Sequence, residues 1–143
     1  IQSLIQDLER EDWSIFYGGH RMIPAPLTRL PSGLAKVAPD VAIETCHFMA
    51  LQGEAISSAI DYLERILGRP AGDPEGGPMH VDGAYNWFRQ ANPQFKTVLA
   101  IPELGFQRAS RTDIHDLRWY DTAPLIRNGV ACLRWVKNAL KRR

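Results

Sequence analysis

Residues 41–68 read VAIETCHFMALQGEAISSAIDYLERILG and join a strand-like run to a helix-like run. The first run, 41–51, is apolar and rich in β-branched and aromatic residues, so it predicts a buried strand. Gly53 opens the second run and Gly68 supplies its stop, which predicts a helix between them. We expect that helix to pack through the apolar side chains that recur at helical spacing: Ile56, Ile60, Leu63 and Leu67.

The rest of the chain alternates in the same way. The patterns predict further strands in WSIFYG (13–18) and FKTVLAI (95–101). They predict helices at 1–10, at 83–91 with Asp82 as N-cap, and at about 122–141. Two segments rich in glycine and proline, 18–40 and 69–79, are expected to be loops. This order predicts a single α/β domain over 1–143, with a small sheet flanked by helices.

Composition excludes several classes of protein. The chain has 143 residues, is 45% hydrophobic and carries 17 Lys and Arg against 16 Asp and Glu. A net charge of +1 provides no field that would steer the protein to nucleic acid, so we expect no nucleic-acid partner. Cys46 and Cys132 match no zinc or redox spacing, which favours reduced, structural thiols in a cytoplasmic setting. The sequence contains no run of about 18 apolar residues of the kind that crosses a membrane.

The segment HVD, residues 80–82, is the first candidate site. It places His80 and Asp82 between a glycine- and proline-rich loop and a predicted helix. A carboxylate at a helix start is stabilised by free backbone N–H groups and by the helix dipole, which is one interpretation. The other is that the imidazole and the carboxylate face a cleft beneath the 69–79 loop, as a general base or as metal ligands.

The segment LGFQRASRTDI, residues 104–114, is the second candidate. It follows a predicted strand, and ligands of open α/β sheets bind in loops after strand ends. Its arginines suit a phosphate, and the alternative is a solvated loop in which Arg108 pairs with Asp113. His20 follows two glycines that allow the backbone to approach a ligand closely, whereas His47 lies in an apolar run typical of a core residue.

Four segments in this order resemble the C-terminal half of glycosyltransferase family 25, the lipopolysaccharide-type glycosyltransferases. They are DWSIFYGGH (12–20), ETCHFMALQGEAI (44–56), GPMHVDGAYNWFR (77–89) and AIPELGFQRASRTDI (100–114). The resemblance covers residues 1 to about 120. It differs from the family pattern at Thr112, where serine is more usual, and at Gln52, where a basic residue is common.

The resemblance implies a partial GT-A-like, Rossmann-like fold and transfer of a sugar from a nucleotide-sugar donor to a glycan or lipopolysaccharide acceptor. It implies that Asp82 is the catalytic base and that His80 contacts the acceptor or a metal. The substrate-binding residues it implies are His20, Gln107, Arg108, Ser110 and Asp113.

The donor half of such an enzyme holds Mn²⁺ or Mg²⁺ through an Asp-rich motif, and this sequence contains no E-D-D or D-x-D. We therefore expect the chain to be the C-terminal part of a longer enzyme. By itself, it is expected to bind no metal and to transfer no sugar.

Two other functions remain open. The missing Asp-rich motif also fits a non-catalytic module that binds carbohydrate or a protein partner. The basic C-terminal helix, 122–143, suits contact with anionic lipid. The protein would then be cytoplasmic and bound at the surface of the inner membrane. The alternative for this helix is docking on the core. Its apolar face carries Ile126, Val130, Leu133, Val136 and Leu140.

Overall fold

The computed structural model describes residues 2–21 and 27–106, which fall in one compact unit, Ile1–Phe106. The second unit, Gln107–Arg143, lies outside the described residues. It contains four of the predicted substrate-binding residues and the predicted basic helix. The described elements are α1 (Gln2–Arg10), β1 (Ile15–Gly19), β2 (Thr28–Arg29), β3 (Leu34–Val37), β4 (Phe48–Leu51), α2 (Glu54–Gly68), α3 (Val81–Ala91) and β5 (Thr97–Ala100).

The strands form one mixed sheet in the order β2-β3-β5-β1-β4. β1 and β5 are parallel neighbours, from Ile15 opposite Thr97 to Tyr17 opposite Leu99, and the other pairs are antiparallel. β5 lies at the centre and all its residues are buried. The predicted class, α/β with a small sheet flanked by helices, is therefore confirmed.

Helices cover both faces of the sheet. Alternation along β1 directs Ile15 and Tyr17 to the larger core, where α2 and α3 pack. Phe16, between them, faces a smaller core that includes Leu4 and Leu8 of α1. In the described part of the chain, no helix is long and apolar enough to cross a membrane.

Two of the predicted segments differ from the structure. Residues 18–40 do not form one loop, since they contain β2 and β3, which turn back on each other at Gly33 in a left-handed conformation (φ 82°). These strands are too short to show period-two alternation, and glycine and proline surround them. The predicted strand over 41–51 is also too long. Only Phe48–Leu51 pairs, at the sheet edge.

Helix α2 has the predicted bounds but buries a different face. Its buried residues are Ala55, Ala59, Tyr62 and Ile66. Of the four residues predicted for the core, only Leu63 packs against it, because Ile56, Ile60 and Leu67 are 49%, 53% and 72% exposed. The buried face is one residue, or about 100°, away from the predicted one. Helical spacing identifies the apolar faces of a helix but not which of them is buried, and α2 has two apolar faces next to each other.

A matched pair of substitutions tests this orientation of α2. Ile66 is 2% exposed, so Ile66→Ala is expected to lower the free energy of unfolding by about 2–5 kcal/mol. Ile60→Ala on the exposed face is expected to change it by no more than about 0.5 kcal/mol. Urea denaturation measures both, and a larger loss for Ile60→Ala than for Ile66→Ala would mean that the helix packs through the predicted face.

Candidate functional site at the carboxyl ends of the parallel strands

The carboxyl ends of β1 and β5 meet at one edge of the sheet, where open α/β sheets bind ligands. His20 directly follows β1, and its Nε2 contacts the carbonyl oxygen of Ala100 at 2.9 Å. His47 directly precedes β4, and its Nε2 donates to the carbonyl oxygen of Gly105 at 3.0 Å. His20 therefore binds the last residue of β5, and His47 binds the segment that follows it.

The His47 ring is oriented from both sides. A carbonyl oxygen only accepts, so Nε2 carries the proton, and in the neutral ring Nδ1 accepts from the Thr45 hydroxyl at 3.1 Å. His47 is exposed, not part of the core as its sequence context predicts. The Gly105 carbonyl that accepts from Nε2 lies 58 residues further along the chain, so the apolar run around His47 gave no signal of this position.

Gly18 and Gly19 serve packing within the protein. A Cβ at Gly19 would lie 2.7 Å from the oxygen of Gly105 and against the His47 ring. A Cβ at Gly18 would lie 2.8 Å from Phe48 Cε1. We expected the space beside these glycines to admit a ligand. The side chains of His47 and Phe48 occupy it instead.

Asp82 is not the N-cap of α3, contrary to the prediction. His80 occupies that position, without a hydrogen bond from its side chain to the helix backbone, and it is exposed. Asp82 lies in the first turn, is half-buried, and accepts from the backbone N–H of Thr45 at 3.4 Å. Thr45 has a positive φ of 68°, which an L-residue rarely adopts. Asp82 is thereby connected to the segment that positions His47.

Asn86, one turn after Asp82, holds the same segment. Its Oδ1 accepts from Ile43 N–H at 2.9 Å and its Nδ2 donates to the Ile43 carbonyl at 3.1 Å. Asn86 thus pairs with both the N–H and the carbonyl of Ile43, as the backbone of a neighbouring strand would. Residues i and i+4 share a helix face, so Asp82 and Asn86 bind successive parts of one loop.

Arg89 completes this face and is the residue that sequence reasoning missed. It is 1% exposed, and its guanidinium donates to the carbonyls of Ala38 and Val41, each at 2.8 Å, and to Thr97 Oγ1 at 3.0 Å. Burial lowers its pKa, while Tyr17 and Asp40 act to raise it. The spacing Asp82, Asn86, Arg89 along one helix face was the available signal.

Three titratable side chains in or against the larger core, Tyr17, Cys46 and Tyr85, have raised pKa values. Burial raises the pKa of Tyr17 to about 12, with Arg89 lowering it and Cys46, Tyr85 and Asp82 raising it. Burial and then Asp82 raise the pKa of the Cys46 thiol, and burial and then Cys46 raise that of Tyr85. At neutral pH the two phenols and the thiol are therefore protonated.

The Cys46 thiol reports on this arrangement. In a Cys132→Ser background, its alkylation by iodoacetamide is expected to titrate at higher pH than that of an exposed thiol, because burial and Asp82 disfavour the thiolate. Asp82→Asn removes one negative charge and is expected to shift the pH profile to lower values. Asp61→Asn on α2 serves as the control and is expected to leave it unchanged. Identical profiles for the Asp82→Asn and parent proteins would contradict the placement of Asp82 beside Cys46.

The described residues do not form a metal site by themselves. Within residues 2–21 and 27–106, no three side chains of His, Cys, Asp or Glu cluster so as to hold a metal ion. His80 and Asp82 alone provide too few protein ligands for a closed site.

Comparisons with known proteins leave the family open. No protein-family model, no curated protein and no solved structure matches this chain.

Proposed function

We propose that this chain supplies the acceptor-binding and base half of a glycosyltransferase similar to family 25, which transfers a sugar from a nucleotide-sugar donor to a glycan or lipopolysaccharide acceptor. One observation carries the proposal. The Asp82 carboxylate is held by Thr45 N–H next to the edge where the parallel strands β1 and β5 end. Ligands of open α/β sheets bind at such an edge.

In this reaction, Asp82 acts on the acceptor hydroxyl. Its Oδ2 accepts from Thr45 N–H, which fixes the carboxylate, and Oδ1 takes the acceptor proton as the new glycosidic bond forms. The bond from the sugar to the diphosphate breaks, and the nucleoside diphosphate leaves. Mn²⁺ or Mg²⁺ in the donor half would stabilise its charge. His80, exposed at the start of α3, contacts the acceptor or that metal in this proposal.

The runner-up is a non-catalytic module that binds carbohydrate or a protein partner. The hydrogen bonds of Asn86 and Arg89 to residues 38–43 support it. They indicate that the polar side chains of α3 hold the backbone of this loop, a structural role to which Asp82 also contributes. The sequence also lacks the Asp-rich motif of a donor site. Contact with membrane lipid depends on residues 122–143, which lie outside the described residues.

A transfer assay separates these functions. The protein encoded by the complete reading frame is expected to release nucleoside diphosphate from UDP-, GDP- or ADP-sugars with Mn²⁺, only when a lipopolysaccharide or oligosaccharide acceptor is present. The 143-residue chain alone is expected to transfer nothing and to bind no sugar nucleotide tightly. A folded product of the complete frame without any acceptor-dependent release would overturn the proposal. Micromolar binding of a UDP-sugar to the isolated chain would overturn the assignment of the donor site elsewhere.

A further inference from the structure

An open cavity of about 400 Å³ lies between the second half of α2, the outer side of α3 and the loop that joins the two helices. Pockets that bind small molecules have volumes of about 300–1,000 Å³. The lining combines aromatic rings with charged and amide side chains: Tyr62, Arg65, Arg69, Glu75, Trp87 and Gln90. Trp87 lies five residues after Asp82, about 140° around α3, so this cavity is on a different side of the helix from the Asp82 site.

The loop between the helices is fixed where it borders the cavity. Arg69, the residue after α2, donates to the Glu75 carboxylate at 3.0 Å and to the Gly76 carbonyl oxygen at 3.2 Å. It also donates to the carbonyl oxygen of Glu75, whose own N–H donates to Asp73 Oδ1 at 2.8 Å. This wall of the cavity is therefore formed by the protein alone, before any ligand binds.

Trp87 gives the cavity an aromatic surface that is 38% exposed. The backbone of Gly76 lies against the six-membered ring of its indole, since a Cβ at Gly76 would lie 3.0 Å from Trp87 Cε3. The loop thus holds the indole in place while part of the ring faces solvent. A fixed and exposed indole suits the C–H face of a sugar ring, because stacking removes apolar area of both partners from water.

Arg65 provides a cation that the protein leaves available. Its guanidinium carbon lies 5.6 Å from the centroid of the Tyr62 ring, and its Nε donates to the Asp61 carbonyl oxygen at 3.3 Å. In the part of the chain that the structure describes, its two terminal nitrogens form no hydrogen bond or ion pair. Arg69, by contrast, is paired with Glu75. The cavity therefore favours an anionic group beside Arg65.

The other polar side chains suit hydroxyl groups. The exposed amide of Gln90 can donate and accept, and the Glu75 carboxylate accepts. A sugar hydroxyl also donates and accepts, so it can pair with either side chain. The acidic residues Asp61 and Glu64 line a neighbouring depression that Arg65 also borders, not this cavity.

We propose that this cavity binds a sugar ring that carries a negative charge, as a carboxylate or a phosphate group. The ring stacks on Trp87, the anionic group binds Arg65, and Gln90 and Glu75 bind the hydroxyls. The site goes beyond the proposed function, because it lies apart from Asp82 and does not depend on sugar transfer.

Binding to the 143-residue chain tests this site directly. Tryptophan labelled with ¹⁵N at Nε1 is followed by NMR, and the signal that Trp87→Phe removes is that of Trp87. The ligands are methyl glucuronide, glucose 6-phosphate and the uncharged methyl glucoside, at constant ionic strength. At least one anionic sugar is expected to shift the Trp87 signal saturably and to bind about 2- to 10-fold more tightly than methyl glucoside. The sugar that does so distinguishes a carboxylate from a phosphate.

Arg65→Met is expected to remove this preference for the anionic sugar and to leave the affinity for methyl glucoside within about 2-fold. Gln90→Ala is expected to weaken the binding of every sugar about 2- to 5-fold, the effect of one hydrogen bond. Arg10→Met, a matched change at an exposed arginine of α1, is the control and is expected to change no affinity by more than about 2-fold.

Three results would overturn the inference: no shift of the Trp87 signal with either anionic sugar, a preference that persists in Arg65→Met, or an equal shift with inorganic phosphate alone. Binding of methyl glucoside as tight as that of both anionic sugars would also overturn it. Each of these leaves the Asp82 proposal standing, because acceptor-dependent transfer tests that proposal separately.

Discussion

Arg89→Met is expected to lower the free energy of unfolding by about 3–5 kcal/mol, because it leaves buried acceptors without a donor. The substitution keeps an unbranched side chain of similar length in a site that is 1% exposed. It removes the donors to the carbonyls of Ala38 and Val41 and to the Thr97 hydroxyl. Urea denaturation with linear extrapolation measures the loss.

Arg10→Met on α1 is the matched control, because the Arg10 side chain is 77% exposed. It is expected to change the free energy of unfolding by no more than about 0.5 kcal/mol. Faster hydrogen exchange at the Ile43 amide in Arg89→Met would show that residues 38–43 are released first. A loss for Arg89→Met as small as that of the control would contradict the role of Arg89 in holding this segment.

Under the proposed function, Asp82→Asn in the complete protein is expected to lower turnover by about 10²- to 10⁴-fold, the usual contribution of a positioned base. Asparagine keeps an oxygen that can accept from Thr45 N–H, so the local structure should persist. The free energy of unfolding is expected to fall by only about 0.3–1 kcal/mol, from the lost charge at the helix start. Under the proposed function the diphosphate is held by the donor half, so donor affinity should stay unchanged. Acceptor-dependent release of nucleoside diphosphate measures turnover, and calorimetry measures donor binding.

Two controls accompany this variant. Asp61→Asn on α2 removes a carboxylate from another helix and is expected to leave turnover unchanged. His80→Ala is expected to raise the Mn²⁺ requirement if His80 is a metal ligand, and only the acceptor KM if it contacts the acceptor. Wild-type turnover in Asp82→Asn would end the assignment of a base and leave Asp82 as a residue that binds the Thr45 backbone.

Local patterns in the sequence determined most of the elements of this protein. Helix α2 begins after Gly53 and ends at Gly68, as predicted, because helical spacing and glycine act within a few residues. The apolar runs that became β1 and β5 were also recognisable, since both strands are buried on two faces. The polar segment HVD was recognisable as a candidate site because its residues are neighbours in the sequence. Its function stays a prediction.

Only the tertiary structure decided how those elements meet. The central position of β5, the pairing of β3 with it and the buried face of α2 follow from contacts between distant segments, which no short window of sequence contains. The partner of Asp82 is Thr45, 37 residues earlier in the chain, so its hydrogen bond could not be inferred from the spacing of His80 and Asp82. Arg89 is buried because residues 38–41 present carbonyls that only a folded loop brings within reach.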